Sequence, residues 1–169
     1  MLWAFVSMLP SFSAAQISPI ELGVDASLTM SIYGGTTSVL SVPERSLRAG
    51  FFVSEYVSIE HRVSIQRIQV EGVDPHSRLS LQLSGVFHVS PTRDRVRAYV
   101  IPTLGLRSHL LGDRSSSQVE LGCGVGAKIP IANYLSARFE AGYLYGSENE
   151  ELDRSDLLVV KAGLSLFTR

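Results

Sequence analysis

The chain has 169 residues, 45% of them hydrophobic, and a net charge of −1. That is one domain's worth, with no stretch near the roughly 20 consecutive apolar residues of a membrane-spanning helix and no Lys/Arg stripe that would track nucleic acid. Cys123 is the single cysteine, which rules out an intrachain disulfide and a Cys-based metal site, and on an apolar face it reads as a small hydrophobe.

In chain order, residues 1–15 come first. Leu2 to Pro10 is an apolar run, and Ser13-Ala14-Ala15 has small residues at the spacing of a signal-peptidase site, so a leader over 1–15 is expected, with a mature domain over 16–169 beginning at Gln16. No Lys or Arg precedes the run, a departure from the usual basic start of a leader.

From there a period of two recurs along the chain, the mark of strands with one apolar and one polar face. Near residues 20–33, Ile20, Leu22, Val24, Ala26, Leu28, Met30 and Ile32 alternate with Glu21, Gly23, Asp25, Ser27, Thr29 and Ser31. Near 47–53, Leu47, Ala49, Phe51 and Val53 oppose Arg48, Gly50 and Phe52. From 57 to about 70, Val57, Ile59, Val63 and Ile65 oppose Ser58, Glu60, Arg62, Ser64 and Gln66, and His61 is a polar intruder on the apolar face. Near 79–89, Leu79, Leu81, Leu83, Phe87 and Val89 oppose Ser80, Gln82, Ser84 and His88. Near 96–110, Ala98, Val100, Pro102, Leu104 and Leu106 oppose Tyr99, Thr103, Gly105 and Arg107.

The last third is the clearest. Over 119–131, Val119, Leu121, Cys123, Val125, Ala127, Ile129 and Ile131 alternate with Glu120, Gly122, Gly124, Gly126, Lys128 and Pro130. Over 135–145, Leu135, Ala137, Phe139, Ala141, Tyr143 and Tyr145 oppose Ser136, Arg138, Glu140, Gly142 and Leu144. Over 158–166, Leu158, Val160, Ala162, Leu164 and Leu166 oppose Val159, Lys161, Gly163 and Ser165.

Eight strands are therefore predicted, joined alternately by short connections (54–56, 91–95, 132–134) and longer polar ones (34–46, 71–78, 112–118, 146–156). Short turns on one side and long loops on the other are the asymmetry of an outer-membrane barrel. A tyrosine turn followed by an apolar–Ser step occurs twice, in Ser54-Glu55-Tyr56-Val57-Ser58 and in Ala132-Asn133-Tyr134-Leu135-Ser136.

Alternation alone also fits a soluble lipocalin-like barrel with an apolar calyx. Two features favour the apolar face outward. The apolar faces carry more large side chains than an eight-stranded lumen can hold. Glycine falls repeatedly on the polar face, at Gly23, Gly50, Gly105, Gly122, Gly124, Gly126, Gly142 and Gly163, where a narrow lumen filled by long Arg and Glu needs room. The polar face also balances Glu21, Asp25, Glu60, Glu120 and Glu140 against Arg48, Arg62, Arg107, Lys128, Arg138 and Lys161. Buried charges are tolerable when paired, so these eleven residues are expected to form an ion network that plugs the lumen.

The chain resembles the small eight-stranded outer-membrane β-barrel proteins, the OmpA-like and OmpX-like group. The carriers are Phe51-Phe52-Val53-Ser54-Glu55-Tyr56-Val57-Ser58-Ile59-Glu60, Gly122-Cys123-Gly124-Val125-Gly126-Ala127-Lys128-Ile129-Pro130, Arg138-Phe139-Glu140-Ala141-Gly142-Tyr143 and Lys161-Ala162-Gly163-Leu164-Ser165-Leu166-Phe167. The resemblance implies an all-β, antiparallel up-and-down transmembrane barrel in a bacterial outer membrane, contacting its lipid and lipopolysaccharide and inserted by the barrel-insertion machinery. That machinery reads a terminal aromatic on the outward face, whereas Phe167 has lumen parity and is followed by Thr168 and Arg169.

Chemistry is sparsely signalled. His88-Val89-Ser90 has the His-x-Ser spacing of outer-membrane lipid A deacylases, but His88 has lumen parity and is expected to be a solvated strand-end residue. His76 reads as a loop residue and His109 as lying near one. Glu120, Lys128, Arg138 and Glu140 could meet in the lumen as a structural network. No metal-ligand spacing and no phosphate-cradling loop occurs, so no cofactor, metal or catalytic residue is expected. The reading is a non-enzymatic outer-membrane barrel acting in envelope integrity or surface interaction through its loops, with a lipid A-modifying enzyme and a soluble lipocalin-like binding barrel as alternatives.

Overall fold

The computed structural model describes residues 20–32, 38–68, 76–91, 95–111, 114–147 and 155–168; the expected leader lies outside them. Eight strands form one closed antiparallel barrel in sequence order, with β1 at Ile20–Ser31, β2 at Ser38–Phe52, β3 at Val57–Ile68, β4 at His76–His88, β5 at Arg97–Leu111, β6 at Arg114–Ala132, β7 at Leu135–Gly146 and β8 at Ser155–Phe167. β1 pairs with both β2 and β8, so closure leaves no sheet edge to template aggregation.

The stagger follows from the rungs. From Leu22 they run through Ala49, His61, Leu83, Leu104, Leu121 and Tyr145 to Asp156 on β8, ten residues from Leu166, where β8 itself pairs with Leu22. A stagger of ten on eight strands tilts them by about 40° and leaves a lumen that side chains can fill.

Each strand presents its apolar parity outward. Leu22, Val24, Leu47, Val63, Leu83, Leu104, Leu121, Val160 and Leu164 are all exposed, while Glu21, Arg48, Glu60, Arg62, Glu120, Lys128 and Arg138 are buried. Such a surface suits hydrocarbon and would be unstable in water, and the polar interior excludes the apolar calyx of a soluble lipocalin-like barrel. Aromatic residues flank the apolar band, with Phe51, Tyr56, Phe87 and Tyr134 near the turn end and Tyr143 towards the other, as in a membrane girdle. Pro102, exposed mid-strand on β5, has no N–H to give, and the β4–β5 ladder is interrupted between Ser84/Thr103 and Phe87/Val100.

At the turn end the short connections at 54–56 and 132–134 match expectation, and residues 92–94 of the third lie outside the described residues. Ser54 Oγ accepts hydrogen bonds from the Tyr56 and Val57 N–H groups, closing the β2–β3 turn. Asn133 and Tyr134 close β6–β7 beyond a register shift at Pro130/Ala132. The two tyrosine turns thus sit at the same end.

The opposite end departs from expectation. β2 begins at Ser38, so 38–46 are strand rather than loop, and β6 begins at Arg114, so 114–118 extend the β5–β6 hairpin up to the pair Leu111/Arg114. His76 opens β4 and His109 lies within β5. Above the lipid band neither face needs to be apolar, so the ladder continues after the alternation has vanished.

Candidate functional site: the charged lumen

Alternation aims the polar parity of all eight strands at one axis, and the eleven charged residues expected there line the interior. Most gather in one central cluster. Glu21 on β1 accepts from Arg48 Nη1 and from Lys128 Nζ, each at 2.5 Å. Glu60 on β3 accepts from Arg138 on the opposite wall at 2.8 Å and from Lys128 at 3.4 Å. Arg48 also donates to Asp25 at 3.1 Å and to Ser165 Oγ at 2.8 Å. Glu140 takes Arg138 at 2.8 Å, Lys161 at 2.7 Å and Arg62 at 3.3 Å, and Arg62 lies 3.5 Å from Asp25. Every acid in this cluster faces at least two bases. A low-dielectric interior strengthens such pairs and makes an orphaned charge costly.

Arg107 and Glu120 form a second, smaller group nearer the loop end, 2.6 Å apart. Gln82 donates to Glu120 at 3.3 Å, and Ser80 Oγ lies 3.4 Å from it. Of the four residues singled out as neighbours, only Arg138 and Glu140 meet directly. Lys128 instead reaches across to Glu21 and Glu60, and Glu120 belongs to the separate pair with Arg107. Between the groups lies a cavity of about 20 Å³ lined by Arg62, Gln82, Arg107 and Lys161, room for about one water.

An aromatic layer covers part of the turn end, beside a cavity of about 460 Å³ lined by Arg97, Lys128, Ser136 and Phe167. Phe52 stacks on His88 with centroids 5.6 Å apart, Phe167 lies 6.3 Å from Phe52, and Tyr99 meets His88 edge-on at 5.9 Å. Lys128 Nζ is 5.6 Å from the Phe52 and Tyr99 ring centres, and Arg138 lies 4.7 Å over Tyr99, so cation–π contacts join this layer to the ion cluster. A Cβ at Gly126 would lie 2.2 Å from the Tyr99 ring, and one at Gly23 would lie 2.3 Å from Arg48; bare backbone is what lets these large groups lie against the wall.

His88 is buried, which corrects the solvated strand-end reading: its parity turns it into the aromatic layer. Its Nε2 lies 3.5 Å from Ser58 Oγ, while Nδ1 has no hydrogen-bond partner among the described residues. A nucleophilic pair needs a base oriented by a third group and an approach for substrate. Ser58 is fully buried, and among the described residues no hydrogen-bond acceptor holds the other ring nitrogen. Ser90 contributes its carbonyl to Arg97, so His88-Val89-Ser90 does not converge on a lipid-side centre. Phe167, packed on Phe52, is on the lumen side, and Leu166 faces out.

Sequence reasoning missed several lumen residues. Arg97 is buried and donates to the Ser90 and Glu55 carbonyls, and Glu44 accepts from Ser64 Oγ. Val86, Ile101 and Leu157 are apolar yet inward, as are Leu144 and Val159, which the alternation had already set on the polar face. Parity carried through each strand would have placed all of them.

With this architecture in view, the comparisons are consistent. No family model matches the sequence, and no curated protein matches it. Solved structures match over nearly the whole chain. Neisserial surface protein A matches with a TM-score of 0.67 at 14% identity, over 87% of this chain and 96% of that one. The attachment invasion locus protein Ail of Yersinia pestis gives 0.56 at 14%, over 90% and 100%. OprG of Pseudomonas aeruginosa gives 0.60 at 9%, over 91% and 97%. The fold is that of the small eight-stranded outer-membrane barrels.

Proposed function

We propose that the protein is a bacterial outer-membrane barrel with a sealed lumen, acting without catalysis in envelope integrity or surface interaction through the loops opposite its turn end. The observation that carries this reading is the central ion cluster. It spans the interior from Glu21 to Lys161 and sits on a stacked aromatic layer, with a cavity of about 20 Å³ on its loop side and one of about 460 Å³ at the turn end that reaches Lys128. A pore of porin type keeps an open aqueous channel, and an eight-stranded wall holding this many long side chains does not.

In the same reading the leader over 1–15 is removed, the barrel-insertion machinery seats the chain among lipid and lipopolysaccharide, and the turn end faces the periplasm. Planar-bilayer recordings of the purified barrel test the seal: small, irregular conductance is expected, and stable channels of porin size would overturn it. The two roles separate in cells. Replacing 69–75 and 148–154 by Gly-Ser segments should abolish attachment to surfaces if the loops act. Detergent sensitivity that follows loss of the whole barrel but not loop replacement would assign the envelope role.

A further inference from the structure

His61 breaks the outer face of β3. Its outward neighbours on that strand are Val57, Ile59, Val63 and Ile65, and His61 is the third of these five positions, midway up the apolar band. The strands on either side place Ala49 and Leu83 opposite it. Glu60 and Arg62, adjacent in sequence, point into the lumen, and among the described residues His61 has no hydrogen-bond or ion-pair partner. Acyl chains offer an imidazole nothing to bond. An ionisable side chain at this depth is costly unless something polar meets it.

The surface around it is also shaped for contact. His61 and Val63 form a ridge between two apolar hollows. One, of about 570 Å³, is lined by Leu81, Leu83 and Leu104; the other, of about 520 Å³, is lined by Leu22, Leu47 and Leu164.

We propose that this face, centred on His61, is the interface through which the barrel pairs with a second copy of itself in the membrane. Two arguments select that partner. A neutral imidazole has one N–H donor and one nitrogen acceptor, so two of them are complementary to each other. Moreover, a rotation axis along the membrane normal preserves depth, so a second copy inserted the same way brings its own imidazole to the level of the first. The ridge of each barrel then lies against a hollow of the other. The proposal rests on the barrel being embedded in a bilayer, which is checked first by heat-modifiable gel mobility and by protection from protease in phosphatidylcholine vesicles.

Pairing is then read in those vesicles by energy transfer between labelled barrels. His61→Leu, on the lipid face and harmless to the lumen, should weaken the dimer by about threefold to tenfold, the range of a hydrogen bond between membrane segments. His61→Asn, which keeps one donor and one acceptor side, should restore it. In a Cys123→Ser background, oxidation should cross-link His61→Cys barrels to dimers but not Ala141→Cys barrels, whose thiol lies on the opposite wall. A monomeric wild type, a His61→Leu dimer as tight as wild type, or equal cross-linking at 61 and 141 would overturn the proposal. Barrels that fail to shift mobility or enter vesicles would instead sink the membrane reading itself.

Discussion

The central cluster and the Arg107–Glu120 pair are built of the same residue types in the same lumen, yet they differ in how charge is shared. In the first, Glu21 and Glu60 are each held by cations from other strands, and Lys128 and Arg138 bridge between acids. In the second, one base meets one acid in ion-pair contact among the described residues, with neutral Ser80 and Gln82 beside Glu120 and Arg78 close to both charges. In a shared cluster each loss unbalances several partners at once. The smaller group has one ion-paired acid to lose.

The sharpest way to break that comparison is Glu60→Ala against Glu120→Ala. Removing Glu60 takes one acceptor from Arg138, Lys128 and Arg48 at once, leaving Glu21, Asp25 and Glu140 to hold all three, and should cost roughly 3 to 5 kcal/mol in urea unfolding from vesicles. Removing Glu120 takes the one ion-paired acid from Arg107, beside Arg78, and about 1 to 3 kcal/mol is expected. Equal losses would mean that sharing confers nothing.

Next in size is a test of the wall that separates lumen from lipid. Leu104→Arg places a cation on the exposed face and should cost roughly 2 to 4 kcal/mol if Leu104 lies near mid-bilayer. The same replacement at Thr103, which faces inward and hydrogen-bonds Ser84 at 2.8 Å, should cost less wherever the lumen can take the added length. A Thr103→Arg penalty as large as that of Leu104→Arg would show that the lumen has no room to spare.

The smallest effect concerns the joint between the ion cluster and the aromatic layer. Gly126→Ala forces the Tyr99 ring away from the wall and should cost about 1 to 3 kcal/mol, the usual range for overpacking. At Gly105 an added Cβ meets the flexible Gln82 side chain at 3.1 Å and the Leu81 carbonyl at 3.2 Å, and Gly105→Ala should cost less. Melting temperatures of the two variants in one detergent would rank them.

Much of this was legible because lipid and lumen impose opposite demands on neighbouring residues. Glu120, Leu121, Gly122 and Cys123 announce their faces by chemistry alone. Two things were not. The upper strands Ser38–Glu44 and Arg114–Gln118 rise out of the band, where no demand for an apolar face exists, so they read as loops. The pairing of Glu60 with Arg138 joins strands on opposite walls, and only the number of strands and their stagger of ten residues bring those positions to one level. His88 was misjudged because proximity to a turn was weighed above parity.

The span of those cross-lumen bonds bears on how the barrel comes to exist. Lys128 lies 107 residues beyond Glu21, and Arg138 lies 78 beyond Glu60. The first half of the chain carries three of the cluster's carboxylates, Glu21, Asp25 and Glu60, with two of its bases, Arg48 and Arg62, and the cations that complete Glu21 and Glu60 arrive only with β6 and β7. Contacts this distant in sequence make folding slow, and here they also tie the first strands to the last, because the bonds that hold Glu21 and Glu60 across the lumen form only once β6 and β7 are in place.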